Sequence, residues 1–376
     1  MSGPLTGYTV IELAGIGPGP YAGQLLADLG AQVILIDRPG ADIPAISNRG
    51  KKSIVLDLRK EGAAGILLKL VETADVLIEG LRPGVTERLG IGPESCHAVN
   101  PKLVYGRMTG WGQNGPWAKV AGHDINYISI TGALHAMGVD GEPPAPPLNV
   151  VGDFGGGSMF LVMGVLSALL QAEKTGKGDI VDAAMIDGAT SLITMIYSLA
   201  GLGMWSTKRQ SNLVDGGMPY YRCYKTSDDK FMAVGCIEPQ FFALMLEKLE
   251  ITQEAYGGQN DRKAFPEQHA MLEAIYKSKT RDEWAKIFDG SDACVSPVLD
   301  YEEAVDHPQN VARGGLKTYG PFIHPRSAPV FQSNPDDGPF SVPAKGSGVH
   351  DVLIANGFNE DEIASFIANA VVHAKD

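Results

Sequence analysis

A histidine and an aspartate thirty residues apart are the side chains in this sequence best placed for acid–base chemistry. His123, in AGHDINYISITG (121–132), follows a glycine and precedes a predicted helix that begins at Asp124. Asp153, in VVGDFGGGSMF (150–160), precedes three glycines and a long apolar segment predicted to be helical. Glycine lets another backbone or a ligand come close, and the first amides of a helix carry partial positive charge. A histidine satisfying local hydrogen bonds and an aspartate capping a helix are the ordinary alternatives. The pattern makes the two residues a plausible acid–base pair.

A third carboxylate, Glu238, stands directly before Pro239, which opens a predicted helix in GCIEPQF. Taken alone, Glu238 is an ordinary acidic residue of a first helical turn, where carboxylates are favourable.

A glycine motif, GIGPGPYAG (15–23), follows the first predicted strand and formally matches the dinucleotide-binding fingerprint. Asp37 ends the next predicted strand, where a ribose ligand would lie. Two prolines in the motif remove amide donors that would hold a pyrophosphate, which weakens this interpretation. Arg38 favours a phosphate instead, and residues 38–88 hold nine Lys/Arg against seven Asp/Glu in a chain of net charge −13. A solvated mixed-charge surface explains that excess equally well.

The elements that must position these residues alternate in type along the first ~200 residues. Strand–helix–strand units of about thirty residues predict a parallel sheet, hence an α/β fold with a large doubly wound, Rossmann-like domain. Loops at the carboxyl ends of its strands are then available for a site. The predicted strands are 8–14, 32–39, 53–58, 75–80, 103–110 and 179–186, and the predicted helices include 21–31, 61–74 and the apolar helix that follows the three glycines within 150–171.

The rest of the sequence predicts a smaller α+β domain over residues 206–319. The large domain is predicted to comprise residues 1–205, and the chain returns to it over residues 320–376. Its markers are a hairpin over 220–236 turning on Ser-Asp-Asp and a helix over 238–249. A Pro-, Gly- and Ser-rich extended path (324–348) and a final helix (361–372) follow.

Composition narrows the functional classes. The 376 residues are 44% hydrophobic, typical of a globular protein, and the charge of −13 disfavours nucleic acid or an anionic membrane as the main partner. We find no secretory signal and no apolar run of the roughly 20 residues needed to cross a bilayer. The four cysteines have neither metal-ligand spacing nor a disulfide framework, so we expect a reducing, cytoplasmic setting.

Several long blocks of the chain resemble the class III CoA-transferase family, and within it the α-methylacyl-CoA racemases. They run in order from about residue 4 to residue 330 and comprise VIELAGIGPGPYAGQLLADLGAQVILIDRPG, KKSIVLDL, ADVLIEGLRPGVTERLGIGPE, GRMTGWGQNGPWAKVAGHDINYISITG, VGDFGGGSMF and YKTSDDKFMAVGCIEPQF. The resemblance implies an interlocked homodimer and no metal or redox cofactor, with CoA as part of the substrate.

The resemblance also implies roles for single residues. The family's catalytic aspartate corresponds to Asp153, and the histidine that its racemases add corresponds to His123, where its transferases usually carry a non-basic residue. The Asp124 amide would stabilise an enolate, and Glu238 would approach the histidine from the partner subunit. The residues implied to contact CoA are Arg38, Leu56, Gly80, Leu81, Arg82, Arg88, Gly122, Ile125, Asn126 and Tyr127.

The leading hypothesis is therefore a racemase that interconverts (2R)- and (2S)-2-methylacyl-CoA thioesters by 1,1-proton transfer. The main alternative is a CoA-transferase that uses Asp153 as a nucleophile. A nicotinamide-dependent dehydrogenase and a non-catalytic CoA-thioester-binding protein also remain open.

Overall fold

The computed structural model describes residues 3–333 and 341–374, and it divides into two compact units. Unit 1 comprises Met1–Ala133, Pro147–Ile193 and Ala312–Asp376, and unit 2 comprises Leu134–Pro146 and Thr194–Val311. Part of the extended path predicted over 324–348 lies outside the described residues.

Strands and helices alternate along most of unit 1, whereas helices predominate in unit 2. In the described residues, the strands are β1 (Thr9–Leu13), β2 (Gln32–Asp37), β3 (Lys52–Leu56), β4 (Val76–Glu79), β5 (Val104–Thr109), β6 (Ile180–Ala184), β7 (Tyr221–Lys225), β8 (Phe231–Gly235), β9 (Val295–Val298), β10 (Leu316–Tyr319), β11 (Phe322–Pro325) and β12 (Val372–His373). The helices are α1 (Pro18–Asp28), α2 (Ala63–Val71), α3 (Val85–Arg88), α4 (Pro93–Val99), α5 (Asp124–Ser129), α6 (Met159–Thr175), α7 (Met185–Leu192), α8 (Thr194–Gly201), α9 (Pro239–Lys248), α10 (Gln253–Tyr256), α11 (Phe265–Tyr276), α12 (Arg281–Phe288), α13 (Glu303–Asp306), α14 (Pro308–Arg313), α15 (Val349–Ala355) and α16 (Glu360–Ala368). Short 3₁₀ turns cover Ile46–Asn48 and Leu134–Ala136, and a π-helical segment, Val150–Ser158, runs directly into α6.

Unit 1 is built on a seven-stranded sheet of order β12-β3-β2-β1-β4-β5-β6. Strands β1 to β6 pair in parallel, and β12 pairs antiparallel with β3. The order β3-β2-β1-β4-β5-β6 is that of the doubly wound dinucleotide-binding fold, whose ligand cleft opens between β1 and β4 at the carboxyl ends. The predicted α/β fold class is confirmed.

Both faces of this sheet are covered, which explains the nearly continuous apolar strands. Ile11 of β1 joins a buried cluster with α2 and α15, whereas Val10 on the opposite face joins a cluster with α1 and α6. The alternation of side chains along a strand sends neighbours to opposite faces.

Two predicted helix limits are wrong at one end. Helix α1 begins at Pro18, before the predicted residue 21, because proline at the first helical position removes an amide that lacks an intrahelical partner there. The predicted final helix over 361–372 ends at Ala368, and Val372 enters strand β12. Val371 and Val372 are both buried against the core, where β-branched side chains suit a strand.

One helix in the described residues, 150–175, is long and apolar enough to cross a membrane by length and composition alone. The expectation that no segment reaches that length is therefore wrong for these 26 residues. The buried Leu161 and Val165 of this helix pack in the core of unit 1 beside residues of β5 and β6. A core helix of a soluble protein passes the same test.

Unit 2 contains the antiparallel sheet β7-β8-β9. The predicted hairpin over 220–236 is present as β7 and β8, and the predicted helix over 238–249 as α9. A cluster of large buried aromatic residues fills its core, with the rings of Tyr224 and Tyr276 stacked 5.0 Å apart.

Candidate active site

A cavity of about 800 Å³ opens in unit 1 at the carboxyl ends of β1, β2, β4 and β5. The loops after these strands form its walls, which agrees with the strand order that places a cleft there. Its lining residues include Gly15–Gly19, Asp37, Arg38, Gly80–Pro83, Met108–Trp111, Ala121–His123, Tyr127, Asn149, Asp153, Met185 and Lys345. The two predicted proton carriers thus line one cavity.

His123 is the exposed N-cap residue of α5, as its position before Asp124 predicts. Its backbone amide donates a hydrogen bond of 3.0 Å to the Asn126 Oδ1 atom, which fixes the entry into the helix. The Tyr127 hydroxyl donates to the carbonyl of Gly122, the residue before His123. The Tyr127 ring lies so close that a Cβ atom on Gly110 would meet it at 2.0 Å and one on Gly122 at 2.7 Å. Buried Tyr127 therefore supports the loop that carries the imidazole.

Asp153 lies inside the π-helical segment, since that segment begins at Val150 rather than after the glycines. Its Oδ2 atom accepts a hydrogen bond of 3.3 Å from Asn149 Nδ2, and a Cβ atom on Gly17 would lie 3.0 Å from the same oxygen. Burial is the largest cause that raises the pKa of Asp153 above its ordinary value; the Asp124 charge raises it further, whereas His123 lowers it. A carboxyl group with a raised pKa takes up a proton more readily, as an acid–base catalyst must.

The Asp124 side chain is 6% exposed and joins the two elements. Its Oδ2 atom accepts hydrogen bonds of 2.7 Å from both the Gly152 and the Asp153 backbone amides. The Asp124 backbone amide itself is in the first turn of α5, where amides have no intrahelical acceptor. It is therefore available to a bound oxygen atom.

The glycines after Asp153 serve backbone packing. Helix α7 lies against the π-helical segment, and a Cβ atom on Gly156 would stand 2.6 Å from the Ala189 nitrogen. Conversely, a Cβ atom on Gly188 would stand 1.9 Å from the Gly156 carbonyl oxygen. The sequence allows two reasons for these glycines, the approach of another backbone or of a ligand. At Gly156 the neighbour is the backbone of α7.

In the part of the chain that the structure describes, three cationic side chains line the cavity: Arg38, Arg82 and Lys345. Arg38 donates to the Ala14 carbonyl at 3.0 Å, and Lys345 Nζ donates to the Ala41 carbonyl at 3.2 Å. Lys345 is missing from the sequence-based candidates because it is more than 300 residues from Arg38, in a segment predicted only to be an extended path.

The carboxylate assigned to a ribose under the dinucleotide hypothesis has a partner within the chain. Asp37 Oδ2 accepts a 2.6 Å hydrogen bond from Ser53 Oγ, and burial raises the Asp37 pKa most strongly. A ribose bound in this cavity would therefore share the Asp37 carboxylate with Ser53.

The remaining predicted contact residues occupy varied places. Gly80, Leu81 and Gly122 line the cavity, whereas Ile125 and Asn126 are exposed on α5 and are absent from its lining. Leu56 is 1% exposed in the core, so only its backbone could reach a ligand. Exposed Arg88 donates to the Gly84 carbonyl at 3.0 Å and does not line the cavity. Glu238 belongs to unit 2, where it is the N-cap residue of α9 without a side-chain capping hydrogen bond and its charge acts on Cys294.

Comparison with known proteins identifies the family. The model of CoA-transferase family III matches residues 5–343. Proteins named alpha-methylacyl-CoA racemase from Mus musculus and Homo sapiens are 41% and 39% identical to this chain, each alignment covering 98% of both chains. The crystal structure of a CAIB/BAIF family protein from Brucella suis superposes with a TM-score of 0.80 at 26% identity, covering 95% of this chain and all of the other. The resemblance noted in the sequence is confirmed: this chain belongs to CoA-transferase family III.

Proposed function

We propose that this protein is an acyl-CoA racemase that inverts the α-carbon of 2-methylacyl-CoA thioesters. The observation that carries the proposal is that an imidazole, His123, and a carboxyl group of raised pKa, Asp153, line one cavity. Full-length relatives named alpha-methylacyl-CoA racemase support the same activity.

The chemistry needs two acid–base groups on opposite faces of one carbon. One group takes the α-proton as the C–H bond breaks, and the electron pair moves into the thioester carbonyl to form an enolate. The other group then gives its proton to the opposite face as the thioester re-forms. His123 and Asp153 together hold one proton at the start and one at the end, so a turnover exchanges their protonation states and needs no cofactor.

The enolate oxygen needs a hydrogen-bond donor that is already in place. The amide of Asp124 is the best candidate because it lies at a helix start beside His123 and has no intrahelical acceptor. A preorganised donor of this kind is worth roughly 10²–10³ in rate.

The CoA portion of the substrate is polyanionic, and the cations of the cavity suit it. Arg38, Arg82 and Lys345 line the cavity of a chain whose overall charge is −13. Guanidinium groups bind phosphate oxygens in a bidentate manner, and lysine binds them as a point charge. Met108 and Met185 line the same cavity and offer a pliable apolar surface to an acyl chain.

We further propose that the protein works as an interlocked homodimer in the cytoplasm, with Glu238 approaching His123 from the partner subunit. Support comes from the exposed apolar side chains of α6, with Met159 51% and Leu170 59% accessible, which a second subunit would cover. The four cysteines are all free thiols, as a reducing compartment allows.

The experiment is proton exchange in D₂O with a single enantiomer of a 2-methylacyl-CoA. We expect deuterium at the α-carbon together with loss of optical purity. In His123→Ala and Asp153→Ala, exchange should fall by about 10²–10⁴-fold for the loss of one acid–base group. Binding of the thioester, followed by calorimetry, should persist because the cations are unchanged.

The CoA-transferase alternative makes the opposite prediction. A transferase would leave the α-carbon unlabelled and move CoA to an added free carboxylate, with Asp153 as the nucleophile. That result, or near-full exchange in either alanine variant, would overturn the proposed roles.

A further inference from the structure

The carboxylate of Asp124 has no part in the proton transfer proposed above, yet it belongs to the residue next to His123 and accepts the backbone amide of Asp153. We propose that this carboxylate is a positioning residue: it holds the Asp153 backbone against the start of α5 and places a negative charge beside the Asp153 carboxyl group. The inference rests on the proposed racemase function and concerns the side chain, whereas the amide of the same residue is the candidate enolate donor.

The geometry of the contact is specific. A single oxygen, Asp124 Oδ2, accepts both the Gly152 and the Asp153 amides at 2.7 Å. These amides open the π-helical segment, where a carboxylate satisfies otherwise unpaired donors. The acceptor is nearly enclosed, because a Cβ atom on Gly152 would meet Asp124 Oδ2 at 2.6 Å and Ile128 Cγ2 at 3.2 Å.

The second oxygen of the same carboxylate is unusual. Asp124 Oδ1 is buried and has no hydrogen-bond partner among the described residues. A carboxylate left half-satisfied in a buried place costs free energy that a helix cap alone does not require, because a neutral side chain would cap equally well. A role for the charge explains why a carboxylate is used at this position.

The charge acts on Asp153. Among the described residues, the titratable groups that interact with Asp153 are Asp124, His123 and Tyr127, all carried by or next to α5. Asp124 raises the pKa of Asp153, whereas His123 lowers it. Asp124 therefore favours the enzyme form in which Asp153 holds the shared proton, which is one of the two forms that racemisation in both directions requires.

The test compares Asp124→Asn and Asp124→Ala by deuterium exchange between pH 4 and pH 9, values chosen to span roughly the ordinary titration ranges of aspartate and histidine. Asparagine keeps an oxygen acceptor and removes the charge. We expect its rate at the optimum to stay within about tenfold of the unchanged enzyme and the acidic limb of its pH profile to move to lower pH. Alanine removes both the charge and the acceptor, and we expect about 100-fold slower exchange at the pH optimum because Asp153 also loses its placement.

Asp75→Asn is the matched control. The Asp75 carboxylate also accepts a hydrogen bond from a backbone amide, that of Thr9 at 2.8 Å. This contact lies at the amino ends of β1 and β4, away from the cavity at the carboxyl ends of the strands. Its pH profile should coincide with that of the unchanged enzyme. An acidic limb that stays in place in Asp124→Asn, or full exchange in a folded Asp124→Ala, would overturn the inference. Absence of exchange in the unchanged enzyme would instead refute the racemase function.

Discussion

The close packing of α7 against the π-helical segment offers a direct test of how Asp153 is held. Each segment has a glycine at their contact. A Cβ atom on Gly188 would stand 1.9 Å from the Gly156 carbonyl oxygen and 2.6 Å from the Gly156 carbonyl carbon. Real Cβ contacts stay above about 3.0 Å, so Gly188→Ala must push the two backbones apart by about 1 Å. Overpacking of this kind costs about 1–3 kcal/mol of unfolding free energy.

The same displacement reaches the proposed catalytic group, because Gly156 is three residues after Asp153. A misplacement of about 1 Å in an active site is enough for a loss of about 10²-fold in rate. We therefore expect Gly188→Ala to lower the free energy of unfolding, measured in urea, by about 1–3 kcal/mol. We expect the rate of α-proton exchange to fall by about 10²-fold. Thioester binding should change little, since Arg38 and Arg82 lie on other loops.

Gly65→Ala is the control for Gly188→Ala. Gly65 is also a helical glycine, in α2, but a Cβ atom there would meet nothing within 4 Å. Alanine should stabilise that helix by about 0.5–1 kcal/mol through its better helical propensity. Our reasoning is refuted if Gly188→Ala unfolds and exchanges as Gly65→Ala does, because the clash would then relax without moving Asp153.

Two further predictions concern buried carboxylates. Gly23→Ala should lower the free energy of unfolding in urea by about 1–3 kcal/mol, because a Cβ atom there would meet Glu12 Oε2 at 1.8 Å. The same oxygen pairs with Lys51 at 2.6 Å. An unchanged urea midpoint would contradict this prediction. The pKa of Glu79 is raised to about 7, mainly by burial, so between its ordinary value of 4.5 and about 7 the folded state binds more protons than the unfolded state, and the Glu79 contribution to stability is lost as pH rises. Glu79→Gln should accordingly flatten the decline in unfolding free energy between those pH values, and an equally steep decline in the variant would show that burial of Glu79 is not its source.

Much of the large unit is predictable because its local patterns repeat. Apolar strands of four to six residues alternate with amphipathic helices, and this alternation predicts a parallel sheet and a site at the carboxyl ends of its strands. His123 and Asp153 both stand out by their position beside glycines at predicted helix starts. The prediction for the Asp153 glycines is incomplete, because the sequence does not specify that α7 packs against them.

Residues distant in sequence account for most of what sequence reasoning misses. Lys345 joins Arg38 at the cavity only because the chain returns to the sheet after unit 2. Leu56 matches a family contact position, yet its side chain is enclosed in the apolar cluster that the sheet forms with α2 and α15. Val372 falls within a predicted helix, but pairing with Leu56 makes it a strand residue.

The sequence by itself determined the fold class, the family and the two side chains proposed to carry protons, because periodicity, glycine placement and residue type are local properties of the chain. Tertiary structure alone decided that the Asp124 carboxylate caps the segment holding Asp153 and that the glycines beside it receive α7. Both depend on contacts between segments about thirty residues apart, and hydrogen bonds and packing of that kind exist only after the chain has folded.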